Sequence, residues 1–205
     1  MTRSEIFALI GANFPDNTTG DITPADLREV TTQIADSMLY ASAGVREVEV
    51  LRAASTAIQA PTAVNTPLQL TFGAAQGTVS NPVMISAGGL VTFNVAGSYA
   101  VRVKLQNGRT GASGTSVLLS RILINGVQAG SPQAVKITSA EETNPTDSRV
   151  VVAVTAGQTF AVEIMRDSSG TNFGGVYPLA AAVTAWGTAP SALLVISRLE
   201  PVPST

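Results

Sequence analysis

Apolar side chains recur at steps of three and four from Leu27 through Val30, Ile34 and Met38 to Ala41, with Arg28, Glu29, Gln33 and Asp36 off that seam. The spacing predicts an amphipathic helix. Thr23 serves as its N-cap and Pro24 takes the first helical position, where a missing N–H costs nothing. Asp26 can reach back to the free amides of the first turn, and Gly44 is the stop. The seam needs a partner, either the chain's own body or copies of itself in a short bundle, and fewer than three heptads do not decide between them.

Beyond Pro61 the period changes to two. Val91, Phe93 and Val95 are placed on one strand face, and Tyr99, Val101, Val103 and Leu105 on another, opposite Arg102 and Lys104. Asn-Gly at 107–108 and 125–126 and Ala-Gly at 96–97 and 156–157 read as hairpins and corners between apolar runs. Several strands at this spacing predict an antiparallel sandwich or jelly roll. Between helix and strands, residues 46–60 alternate briefly at Val48 and Val50 and then turn rich in Ala, Ser and Thr, which reads as a linker. The expected organisation is a helical segment over 1–45, a linker over 46–60 and a β domain over 61–205. Leu118–Ile124 is apolar on both faces apart from Ser120 and Arg121, and Val150–Val154 nearly so. One face of an antiparallel sandwich is ordinarily wet, so this pattern predicts that a second subunit covers it.

Composition narrows the chemistry. The 205 residues include no Cys and no His, which excludes disulfides, thiolate nucleophiles, the usual zinc ligands and any imidazole base. Aromatic residues are 5% and charged residues 13% of the chain, so aliphatic side chains must fill the interior and Ser, Thr, Asn, Gln and Gly must solvate the surface. No run spans a bilayer, and the first residues lack the length of a signal h-region, so a soluble protein made in a cytoplasm is expected, without membrane insertion. No Asp or Glu occurs between Glu49 and Glu141, although Arg52, Arg102, Lys104, Arg109, Arg121 and Lys136 do. These cations are scattered and fit inward-facing strands better than any nucleic-acid module, so no nucleic-acid partner is expected. Asp16, Asn17 and Asp21 lack the spacing of a calcium loop, and no metal or cofactor is expected.

The acids of the second half are Glu141, Glu142, Asp147, Glu163, Asp167 and Glu200. Glycan cleavage needs two carboxylates flanking a sugar. Here "SAEETNPTDS" reads as a solvated loop and Glu163 as a wet strand position, so an enzyme is not expected. "NGRTGASGTS" and "RDSSGTNFGG" read as surface loops, with Asn107, Arg109, Asn172, Phe173 and Tyr177 as candidate binding residues. Phe173, Tyr177 and Trp186 are the aromatics available for ring stacking on a sugar or protein, and a structural role at a symmetry axis is the open alternative.

"GGLVTFNVAGSYAVRVKLQNGRTG" resembles the central motif of complement globular-head and tumour-necrosis-factor-like jelly rolls, Phe93 and Tyr99 matching two core aromatics of that family. "LLSRILINGVQAG", "VTAGQTFAVEI" and "SALLVISRLE" follow in the family's order, so the resemblance covers about residues 61–200. The last departs from it in carrying Leu193, Leu194 and Ile196 where the family has a Phe and a Gly. The resemblance implies a homotrimer, with Phe93, Tyr99, Val101, Val103, Leu119, Leu123 and Leu194 in the core or at the threefold contact. "FPDNTTGDITPADLREVTTQIADSM" resembles the amino-terminal region of tailed-bacteriophage fibre, spike and head-fibre proteins. That likeness implies attachment to other virion proteins of head, neck or tail through Phe14, Pro15, Asp16, Ile22, Pro24, Leu27, Val30 and Ile34. It further implies a knob on the virion exterior that meets a host-surface glycan or protein. A capsid decoration protein that clamps shell subunits is the alternative reading, and a glycan hydrolase a third.

Overall fold

The computed structural model describes residues 45–76, 82–109, 114–140, 142–170 and 174–201. The helix predicted after Thr23 and all eight attachment residues from Phe14 to Ile34 lie outside the described residues. The chain divides into two units, Met1–Arg46 with Glu200–Thr205, and Glu47–Leu199. In the described part of the first, Arg46 Nη2 donates to Glu200 Oε2 at 3.0 Å.

Fourteen strands follow in order among the described residues. They are β1 (Val45–Ser55), β2 (Leu68–Gln69), β3 (Ala75–Gln76), β4 (Val83–Ile85), β5 (Val91–Phe93), β6 (Gly97–Arg109) and β7 (Ser116–Ile124). Then come β8 (Val127–Ile137), β9 (Asn144–Val154), β10 (Thr159–Arg166) and β11 (Gly174–Val176). A hairpin of β12 (Leu179–Ala180) and β13 (Thr188–Ala189) closes around a 3₁₀ turn at Thr184–Trp186, and β14 (Ala192–Pro201) ends the series.

One sheet, A, has β6, β14, β1 and β3 in sequence, with β9 and β11 also paired to β6. The other, B, runs β4, β5, β10, β7, β8, with β2 on β10. After β5 the chain crosses to sheet A for β6, returns for the β7–β8 hairpin, crosses for β9, returns for β10 and crosses back for β14. This repeated exchange between two antiparallel sheets is a jelly roll, as expected from the strand pattern.

The period of two decides what lies between the sheets. Tyr99, Val101, Val103 and Leu105 of β6 face Phe160, Val162 and Ile164 of β10, and Leu194 and Ile196 of β14 join them, all buried. Phe93 and Tyr99 pack with ring centroids 4.8 Å apart and planes tilted by 48°, and the Tyr99 hydroxyl donates to Val95 O at 2.9 Å, so the ring is buried without stranding its polar tip. Burial raises the Tyr99 pKa. Val95 itself is 37% exposed at the corner after β5, rather than on the Val91 and Phe93 face.

Two expectations are corrected. Residues 46–60 are no linker: β1 belongs to sheet A, and Val50, Leu51 and Ala53 are core residues. Small side chains there pack under neighbouring strands rather than mark flexibility. Asn107 and Gly108 form no turn: they continue β6, Asn107 pairing with Asn144 of β9 and Val176 of β11. Partners on both sides outweigh the local turn preference. The second Asn-Gly does turn, Asn125 and Gly126 having φ of 50° and 76°, as a two-residue hairpin requires.

Candidate interaction surfaces

Cross-strand register arranges the outward face of sheet A in rows. Val195 of β14, Arg102 of β6 and Arg149 of β9 form one; Leu193, Lys104 and Asp147 the next; Ser197, Ala100 and Val151 a third. Two arginines directly opposite each other would repel. Each has an acid instead: Arg102 Nε donates to Asp147 Oδ1 at 2.8 Å, and Arg149 pairs with Glu47. Lys104 Nζ lies 3.5 Å from the same Asp147, and Glu49 takes both Arg52 donors, at 3.0 and 2.8 Å. Hydrogen bonds from Arg102, then its charge and that of Lys104, hold the Asp147 carboxyl below its ordinary range; Arg52 does the same to Glu49. Among the described residues the face therefore sets four cations against three acids, with Arg102 and Lys104 sharing Asp147, around half-buried Leu193 and Val195 and exposed Val151.

Sheet B presents a smaller apolar surface. Leu119 and Met165 point outward beside Pro67 and Pro132, around a cavity of about 140 Å³, and Arg121 donates to Glu163 at 2.8 and 2.7 Å. Leu119 is thus a half-buried surface residue, whereas Leu123 is buried. On β8, Gly130 to Pro132 oppose the single residue Arg121, a bulge between the Ser120 and Ile122 pairings that bends this strand. Among the described residues, β8 and β9 each have one partner strand, and the sandwich opens between them.

Three of the candidate loop residues come together, two of them on strand β6 and Tyr177 in the connector after β11. Asn107 and Arg109 are buried in β6, 2% and 5% exposed. The Asn107 amide donates to Asn144 O at 2.8 Å and Thr146 Oγ1 at 3.2 Å; Arg109 Nη2 donates to Thr138 O at 2.7 Å. Tyr177 packs its ring on Gly108, where a Cβ would come within 3.1 Å of it, and its N–H donates to Gln106 O. These groups tie β6 to β9, to β11 and to the end of β8; Asn107 and Arg109 lie buried in that framework, and Tyr177 is half-buried beside it. Asn172 and Phe173 lie outside the described residues. The two glycines of "NFGGVY" are packing devices: a Cβ on Gly174 would fall 1.9 Å from Ser116 Oγ, and one on Gly175 2.4 Å from Gln59 O. Sequence reasoning missed the β12–β13 hairpin and the charge lattice; the signals for them were a long stretch without charge and the alternation of Arg102 and Lys104.

Fold and surfaces define a jelly-roll protein with an extended sheet face laced by ion pairs. No protein-family model and no curated protein matches the chain. Among solved structures it is similar to the Eiger TNF from S. frugiperda, with a TM-score of 0.43 and 12% identity over 77% of this chain and 96% of that one. It is also similar to the globular domain of the zebrafish complement 1qA protein, with a TM-score of 0.40 and 11% identity over 74% and 97%.

Proposed function

We propose that the chain is a homotrimeric structural protein of a tailed-bacteriophage virion, fixed to the particle through residues 1–45. The jelly roll then stands on the virion exterior and acts by binding a host-surface glycan or protein. The observation that carries self-association is the outward face of sheet A. Each of its cations has an acid in reach, although Arg102 and Lys104 share Asp147 and leave one net positive charge, and Leu193, Val195 and Val151 gain from leaving water. The "FPDNTTGDITPADLR" pattern supports the virion assignment. Binding rather than catalysis is favoured because Asp147 and Glu163, two acids that a hydrolase would draw on, are tied to Arg102 and Arg121.

Light scattering on the full chain tests the assembly: three times the 21.0 kDa chain mass is expected, and a single-chain mass sinks the proposal. Labelling on intact particles tests the location. A receptor binder, as free jelly roll, competes with phage for adsorption to host cells; a decoration protein does not, and failure to compete favours that alternative.

A further inference from the structure

From Ser168 to Ser197 the chain holds no Asp, Glu, Lys or Arg, and its middle leaves the sandwich. Every residue from Leu179 to Ala189 is exposed, with Leu179 at 55%, Val183 at 61% and Trp186 at 84%. The hairpin is nevertheless firmly built. Ala181 N–H donates to Gly187 O at 3.1 Å and Trp186 N–H to Val183 O at 3.0 Å. Both legs are pinned at their roots beside Pro178 and Pro190: Tyr177 N–H to Gln106 O at 2.9 Å, and Ser191 N–H to Ser55 O at 2.8 Å. Ser191 is fully buried, with its hydroxyl donating to Ala57 O at 2.6 Å. A preformed, uncharged apolar arm held out in water marks a contact site.

The same chain carries a matching recess. Between β8 and β9 a cavity of about 400 Å³ opens into the sandwich, lined by apolar Val103, Leu105 and Val162 and also by Ser120, Gln133 and Ser148, with Arg121, Asp147 and Arg149 bordering it. Ser148 Oγ donates to Gln133 Oε1 at 2.9 Å across the mouth. That volume is in the range of about 300–1,000 Å³ for clefts that enclose a bound group.

We infer that Trp186 of one copy seats in this recess of the next, so that each copy gives one arm and receives one. The inference rests on the trimer proposed above. An uncharged arm can seat its indole on the apolar part of this lining and leave the N–H to the polar part. The indole brings about 150–250 Å² to a contact that needs about 800 Å² per partner, so the arm supplies a minor part and the remainder falls to the sheet A face of the trimer proposed above. Arm and recess are different patches, and such head-to-tail contacts close into a ring when the rotation between copies closes and run on as a filament when it does not.

Trp186 is the single tryptophan and the chain has no cysteine, which makes two clean probes. In the full chain at trimer mass, Trp186 emission is expected to be blue-shifted and shielded from acrylamide. The double variant Trp186→Cys with Gln133→Cys is expected to give disulfide-linked chains up to trimers without reductant, and neither single variant any. Trp186→Phe is expected to keep the trimer, as circular dichroism and light scattering would show. A trimer whose Trp186 stays fully quenchable, or in which Trp186→Cys links by itself, overturns the arm contact and leaves the trimer standing. A single-chain mass overturns both.

Discussion

Arg102 and Asp147 meet diagonally across the β6–β9 pair, the guanidinium Nε donating to Oδ1 at 2.8 Å and Nη2 to Oδ2. The contact lowers the Asp147 pKa in the folded chain. With the folded value below the unfolded one, near about 3.9, its contribution is complete above that pH and disappears as pH falls through the lowered value. Asp147→Asn is therefore expected to cost thermal stability at about pH 6 and to converge on wild type only as pH falls through the lowered value, both read from Tm. The effect is small, because the pair is solvent-exposed. A gap that stays constant or widens in acid would show that this carboxylate is not the group at work.

Tyr99 offers a second measurement. Tyr99→Phe keeps the ring packing on Phe93 and removes only the bond to Val95 O, at an expected cost of about 0.5–1.5 kcal/mol in urea unfolding. Tyr99→Ala removes the ring as well and should cost about 3–5 kcal/mol. Equal losses from the two variants would contradict the packing described.

Glycines at two positions are expected to differ for different reasons. Gly175→Ala places a Cβ 2.4 Å from Gln59 O, and β11 must move, at about 1–3 kcal/mol. Gly126→Ala meets nothing within 4 Å, and only its φ of +76° opposes it, at about 1–2 kcal/mol. Gly175→Ala should also loosen the hairpin root, read as faster amide exchange at Tyr177, whereas Gly126→Ala should leave Tyr177 unchanged.

Leu193 stands in the middle of the sheet A face with its side chain half-buried. Leu193→Glu is expected to give folded single chains, with unaltered circular dichroism and the chain mass by light scattering. Trimers that survive this charge would mean that some other face joins the copies.

The strands legible in the sequence were those whose two faces differ in chemistry. Tyr99 to Leu105 alternates with Arg102 and Lys104 because one set meets the core and the other solvent, and that contrast is local. β1 was hidden for the opposite reason. Its end is Ala53, Ala54 and Ser55, small residues that look like a linker until Ser191, 136 residues further on, bonds to Ser55 O. Asn107 was misread because a turn preference is visible in the sequence while its partners Asn144 and Val176 are not. The attachment residues from Phe14 to Ile34 rest on pattern alone. Trp186 was noticed for its ring, but only the fold reveals that it stands clear of the sandwich.

The bulge in β8 has a bearing on growth. With Gly130 at φ +75° and Pro132 unable to donate an amide proton, this long border is interrupted and makes a poor template for a further ribbon. Association through sheet edges is thereby discouraged, so copies crowded at high density are steered away from fibrils and remain discrete bodies.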